Sequence, residues 1–134
     1  MSEGAITHQE GIDVHFLVIG AAHLDILATA TGDHATLDTI GKVDIEVGGT
    51  ACNIALNLKQ LGAKVSLLTA GNNSTYSSLV FNLLQKQGLD LLVEKNDALP
   101  LSAFSAHIDA NGEMVGAVSS AAVEKRKRLT IPPC

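Results

Sequence analysis

The chain has 134 residues, 46% of them hydrophobic and 17% charged, with a formal charge of −5. This is the length and mix of one globular domain with its own core, and it excludes disordered, fibrous and disulfide-built classes. A net-acidic chain with no Trp, one Tyr and three Phe has neither the charge nor the stacking rings for nucleic acid, nor the charge for an anionic membrane.

The charge is unevenly placed. Residues 1–124 hold all 14 acids and five of the nine Lys and Arg, and the other four run together as Lys125, Arg126, Lys127 and Arg128. We read residues 1–13 as a loose leader and 125–134 as a solvated basic tail. Cys52 and Cys134 form no disulfide framework and no metal spacing. The polar N-terminus is no secretion signal, and no apolar stretch spans a membrane. The reducing cytoplasm is the expected compartment.

In chain order, Val14 to Ala22 is an apolar run that predicts a strand buried on both faces, as in a parallel sheet. It ends at Gly20-Ala21-Ala22-His23-Leu24-Asp25. Ligands of open α/β sheets sit at the carboxyl ends of strands, which makes His23 and Asp25 candidates by position. A turn or cap role suits Asp25 equally, and a partly buried spacer role suits His23. Two short strands follow near 26–30 and 42–47.

Ala51, Ile54, Ala55, Leu58 and Leu61 then recur at helical spacing. Thr50 suits the N-cap and Gly62 the left-handed closing residue. Gly48-Gly49 lets bare backbone approach a ligand beside the helix N-terminus; a plain tight turn explains it too. Asn53, in the first turn, can both donate and accept. Lys64 to Thr69 predicts a second buried strand. The turn cluster Gly71-Asn72-Asn73-Ser74 follows, and then a helix marked by Leu79, Val80, Leu83 and Leu84 and ended by Gly88. Leu89 to Val93 predicts a third strand. Residues 101–109 and 113–119 predict a hairpin joined through Ala110-Asn111-Gly112, where Asn and Gly both tolerate positive φ. Strands alternating with amphipathic helices imply an α/β fold.

Gly48-Gly49-x-x-x-Asn53-x-Ala55, with Leu58-x-x-Leu61-Gly62 behind it, resembles the ribokinase/PfkB-type carbohydrate and nucleoside kinases. The likeness takes in Val18 to Asp25, Lys64 to Gly71 and the hairpin Ala106 to Met114, over about residues 14–124. Within the family, the hairpin and the Ala70–Gly71 region are most similar to pseudouridine kinase. The resemblance implies a ribokinase-like α/β/α sheet with a small β lid at about 26–47. It also implies phosphorylation of a sugar or nucleoside primary hydroxyl with ATP and Mg2+. Carried over by position, Asp25 accepts sugar hydroxyls, Gly48 and Gly49 line the pocket with backbone, and Asn53 fixes another hydroxyl. His23 stands where the family usually has Asn.

The chain also departs from the family. Asn72 and Asn73 replace acids. The Gly-Ala-Gly-Asp segment that carries the family's catalytic base and anion hole is absent from the sequence, and the nucleotide pocket and the magnesium-organising Asn-x-x-Glu element are expected outside these residues. Thr31-Gly32-Asp33 reads as a turn and not as a substitute. The expectation is the substrate half of a kinase, without turnover on its own. The alternative is a non-catalytic sugar-binding module that dimerises through its lid strands. A dinucleotide site is set aside, because Gly20-Ala21-Ala22 lacks the later glycines of the G-x-G-x-x-G pattern.

Overall fold

The strand Lys64–Gly71 (β4) is buried from Val65 onward, because it is the middle of a three-stranded parallel sheet. In a computed structural model, which describes residues 14–32, 38–123 and 131, β1 (His15–Ile19) lies on one side of β4 and β5 (Asp90–Lys95) on the other. The leader, Asp33, the Lys125–Arg128 run and Cys134 lie outside the described residues.

The helices α1 (Thr50–Gln60) and α2 (Thr75–Lys86) supply Ala51, Cys52, Ala55, Val80, Phe81 and Leu84 to one core with Val65, Leu67 and Leu89. A smaller cluster of Ala70, Leu99 and Ala122, flanked by Val123, forms near the carboxyl end of β4. Alternation along a strand puts Ala70 on the face away from Leu67.

Several expectations need correction. β1 is exposed at Phe16, Leu17 and Ile19, not buried on both faces. Among the described residues it pairs with β4 alone, so one edge has no neighbour. The buried stripe of α1 is Ala51, Cys52 and Ala55, while Ile54 is 47% and Leu61 83% exposed. Close approach to the sheet selects the small residues: a Cβ at Gly20 would lie 2.6 Å from Ala51 Cβ. Likewise α2 buries Ser77, Val80, Phe81 and Leu84, leaving Leu79 and Leu83 exposed. Its first turn begins at Thr75, earlier than the leucines suggest.

Both helix ends follow the glycine rule. Gly62 has φ 87°, Ala63 N–H donates to Leu58 O at 3.1 Å and Gly62 N–H to Lys59 O at 2.9 Å. Gly88, at φ 80°, closes α2 with the same pair of bonds to Leu84 and Gln85.

The lid is larger than the sequence suggests. Strands β2 (His23–Ala30) and β3 (Gly41–Gly48) pair antiparallel, and the hairpin β6 (Ala103–Ile108) and β7 (Met114–Ser120) joins them in a four-stranded sheet ordered β3-β2-β6-β7. β6 runs parallel to β2, with Asp25 opposite Phe104. The hairpin turns through Ala110-Asn111-Gly112, as expected. Only Gly112 has positive φ, at 86°. Asp109 Oδ1 accepts from Asn111 N–H and Glu113 N–H, both at 2.9 Å, and holds the turn closed.

Candidate functional site

Between β1 and β2 there are three residues, Gly20, Ala21 and Ala22. The chain therefore leaves the parallel sheet and enters the lid within one step, and His23 and Asp25 fall at the start of β2. Leu24 points into the main core at 4% exposure, so His23 and Asp25 share the other face of the strand. Opposite them on β3 stand Gly48, across from His23, and Glu46, across from Asp25.

Gly48 and Gly49 are fixed by close packing. A Cβ at Gly48 would lie 2.0 Å from Asp25 Oδ2, so the carboxylate sits directly on the glycine backbone. Gly49 has φ 105°, and a Cβ there would lie 2.5 Å from Ala21 O. Gly49, not Thr50, is the N-cap of α1, with no side-chain cap bond. Thr50 is already helical, and Asn53 N–H makes the first helical bond to Gly49 O at 2.9 Å. The first turn of α1 thus keeps uncapped N–H donors beside Gly48 and Gly49. Asn53 is exposed in that turn.

Two polar atoms here are shielded from solvent and have no hydrogen-bond partner, His23 Nε2 and Asp25 Oδ1. Burial pushes the Asp25 carboxyl above the usual carboxylate range; His23 pulls it back and Glu46 pushes it further up. Cys52, fully buried in the first turn of α1, is pushed up to about 11, first by burial and then by the Asp25 carboxylate. That electrostatic link ties the helix N-terminus to the carboxylate. The structure thus brings His23, Asp25, Gly48 and Gly49 together and sets Asn53 in the adjacent helix turn. A carboxylate acceptor, an imidazole and open backbone donors together can hold a polyhydroxyl ligand.

Sequence reading missed the neighbouring polar network. Asn72 Oδ1 accepts Ser74 N–H at 3.0 Å and the Ser77 hydroxyl at 2.6 Å, while Ser74 caps Ser77 N–H at 3.3 Å. Asn73 Nδ2 donates to Asp97 Oδ1 at 2.7 Å. The Asn-Asn-Ser composition signalled a turn, and the added content is that Asn72 ties the turn to α2. Thr69 Oγ1, buried on β4, also lacks a partner. A separate cleft of about 400 Å³, lined by residues such as Thr29, Lys42 and His107, lies at the other end of β2 from Asp25. None of the solvent-shielded, unpartnered polar atoms belongs to it.

The architecture and this corner define an α/β fold of the sugar-kinase class. The sequence matches the pfkB family carbohydrate kinase pattern over residues 13–129, and the chain belongs to that family. Its structure superposes on a carbohydrate kinase from Agrobacterium tumefaciens with TM-score 0.71 and 22% identity, over 79% of this chain and 35% of that one. It superposes on fructokinase with bound ATP from Xylella fastidiosa with TM-score 0.64 and 16% identity, over 83% and 35%. For ribokinase from Giardia lamblia the values are 0.63 and 16%, over 76% and 32%. The chain thus spans about a third of the length of each. No curated protein matches it. The ribokinase-like α/β fold expected from the sequence is the fold observed.

Proposed function

We propose that this chain is the sugar- or nucleoside-binding part of a PfkB-type kinase, with His23, Asp25, Gly48, Gly49 and Asn53 as its substrate contacts. The pair of buried, unpartnered atoms His23 Nε2 and Asp25 Oδ1 carries the reading. Leaving such groups unsatisfied costs about 1–3 kcal/mol each, and a ligand hydroxyl repays it. Asp25 accepts from hydroxyls, the Gly48–Gly49 backbone admits the ligand without side-chain clash, and Asn53 serves a further hydroxyl from the helix turn. The lid sheet, β2 and β3 with the hairpin, covers the ligand and excludes water.

ATP and Mg2+ are what a PfkB kinase uses. Among the described residues no three His, Cys, Asp or Glu side chains gather as a metal site. The sequence also holds no Gly-Ala-Gly-Asp run. The reading gives this chain the substrate-binding role. The reading assigns residues 14–124 to the substrate-binding part and 125–134 to a tail, and places the chain in the cytoplasm. Among the described residues no helix is long and apolar enough to cross a membrane.

Calorimetric titration with D-ribose, D-fructose, adenosine and pseudouridine tests the site. At least one should bind, and Asp25→Ala should weaken that binding by roughly a hundredfold, the loss expected for a charged hydrogen-bond acceptor. Equal binding by wild type and Asp25→Ala would remove the carboxylate from the site. Steady ATP-dependent phosphorylation by the 134-residue chain would overturn the division between binding and catalysis.

A second reading, a dimerising module, rests on a different face of the lid. Ile45, Ile26, Ser105 and Val118 stand in one cross-strand row, and Val43 and Ala28 extend it. Ile45, Val43 and Val118 are largely exposed. The two readings are compatible, since Asp25 occupies the opposite face of the sheet.

A further inference from the structure

We propose that Phe104 is a stacking platform for a nucleobase, so that the site takes a nucleoside in preference to a free sugar. The proposal rests on the site reading above and names the substrate class within it. Phe104, on β6, stands directly across from Asp25 on β2. Paired residues of neighbouring strands share a face, and the strands lie about 4.8 Å apart. The ring therefore borders the carboxylate, on the side away from Gly48 and Glu46 of β3.

Core packing does not use this ring up. Phe104 is half-buried and belongs to neither core cluster, whereas Phe81, on α2, lies in the main core. Phe16 is on β1 and Tyr76 on α2, which leaves Phe104 as the one Phe, Tyr or Trp of the lid sheet. Its neighbours toward β7 on the same face are small. Ser119 stands opposite it, and Ala117 stands opposite Ala106, two residues further along β6. Side chains of this size do not reach over an aromatic ring.

The face that carries Asp25 changes chemistry at that residue. Toward β3 it presents Gly48 and Glu46, with Asp44 and Lys42 further along. Toward β7 it presents Phe104, Ala106 and Ala117, with Ser119 as the polar side chain beside the ring. A free sugar carries hydroxyls all around its ring. On the β7 side most of these would leave water to meet apolar carbon, with nothing to bond, which is unfavourable. A nucleoside carries its hydroxyls at one end. Its ribose suits Asp25 and the Gly48–Gly49 backbone, and its base extends over the neighbouring strand, where a flat π-face meets the Phe104 ring. Ser119, whose hydroxyl both donates and accepts, stands on the side where the edge of a base arrives. One ring serves purines and pyrimidines alike, because every base has a π-face.

The test is calorimetric titration of wild type, Phe104→Ala and Phe104→Leu with D-ribose, adenosine and pseudouridine. The wild type should bind both nucleosides at least roughly tenfold more tightly than D-ribose, as one base stacked on one ring provides. Phe104→Ala should shrink that ratio by roughly tenfold. Phe104→Leu, which keeps apolar surface without a π-face, should shrink it less. D-ribose bound by the wild type as tightly as the nucleosides would overturn the proposal and leave the Asp25 site standing. An unchanged ratio in Phe104→Ala, whether or not all affinities fall together, would do the same, since a ring that only supports the sheet moves every ligand equally. Binding of none of the probes by the wild type would overturn the site reading and this proposal with it. Proton NMR on the wild type saturated with adenosine supplies a second readout that needs no variant to fold. It should show cross-relaxation between the Phe104 ring protons and the base protons, and its absence overturns the stacking contact.

Discussion

Asp25 weighs against the fold that it equips. Burial, opposed by His23 and reinforced by Glu46, raises its carboxyl above the ordinary value. An acid whose folded-state pKa lies above its unfolded one binds its proton more readily when folded. Its share of stability is fully present below the unfolded value and is lost as pH rises through the raised one. Asp25→Asn removes that dependence. We expect the variant to melt higher than wild type at pH 7, by a stability gain on the order of 1 kcal/mol, and to converge with it at acid pH. Thermal melts of both proteins at several pH values check this, and a variant less stable at pH 7 would show that the carboxylate helps to hold the fold. Gly48 belongs to the same balance. A Cβ at residue 48 would stand only 2.0 Å from Asp25 Oδ2, so Gly48→Ala must displace the carboxylate. Ligand affinity should fall by at least roughly tenfold, measured calorimetrically, while circular dichroism stays native; unchanged affinity would mean that the carboxylate orientation is irrelevant to binding.

Strand pairing shows what periodicity can and cannot reveal. The parallel strands β4 and β5, both helix ends at Gly62 and Gly88, and the glycine pair before α1 were legible because each depends on local chemistry: apolar runs, left-handed glycines, close approach. Asp25 and Gly48 were legible as candidates through the family motif, and their contact with each other was not, because it is made across the β2–β3 register. The rotated faces of α1 and α2 were illegible for a similar reason. Ala51 is buried and Ile54 exposed where the chain just after β1 comes close to the helix at Gly20. A third case is the row His15–Ser66–Asp90, three strands wide. Ser66, buried on β4, donates to Asp90 on β5, which leaves its oxygen to accept from His15 Nε2 on β1 at 2.8 Å. No spacing in the sequence marks it. Ser66→Ala deletes both bonds at once and should cost about 1–3 kcal/mol, since two strands lose a shared partner. Urea melts compare the two proteins, and a cost below about 0.5 kcal/mol, the range of ordinary surface changes, would show that the row holds nothing together.

At the scale of the whole molecule, the lid sheet has two faces of opposite chemistry. On one face lie Asp25, Glu46, Asp44 and Lys42, the last two ion-paired at 3.3 Å. The other presents Val43, Ile45 and Val118, exposed by 62%, 59% and 76%, with Ile26 and Ala28 between them. The apolar face carries Leu24 into the main core at one end, and its exposed stretch at Val43, Ile45 and Val118 is the kind of patch that a partner covers. A second copy offers the same patch with the same row order, so a two-fold axis through the lid would bury both at once. We expect sedimentation to show a mass that rises with concentration. Ile45→Lys should weaken that association by roughly a hundredfold, because a desolvated, unpaired charge costs several kcal/mol, and it should leave ligand binding intact, because residue 45 and residue 25 lie on opposite faces. A wild type that stays monomeric at high concentration would refute the dimer. Association lost together with ligand binding would mean instead that the two faces of the sheet are coupled.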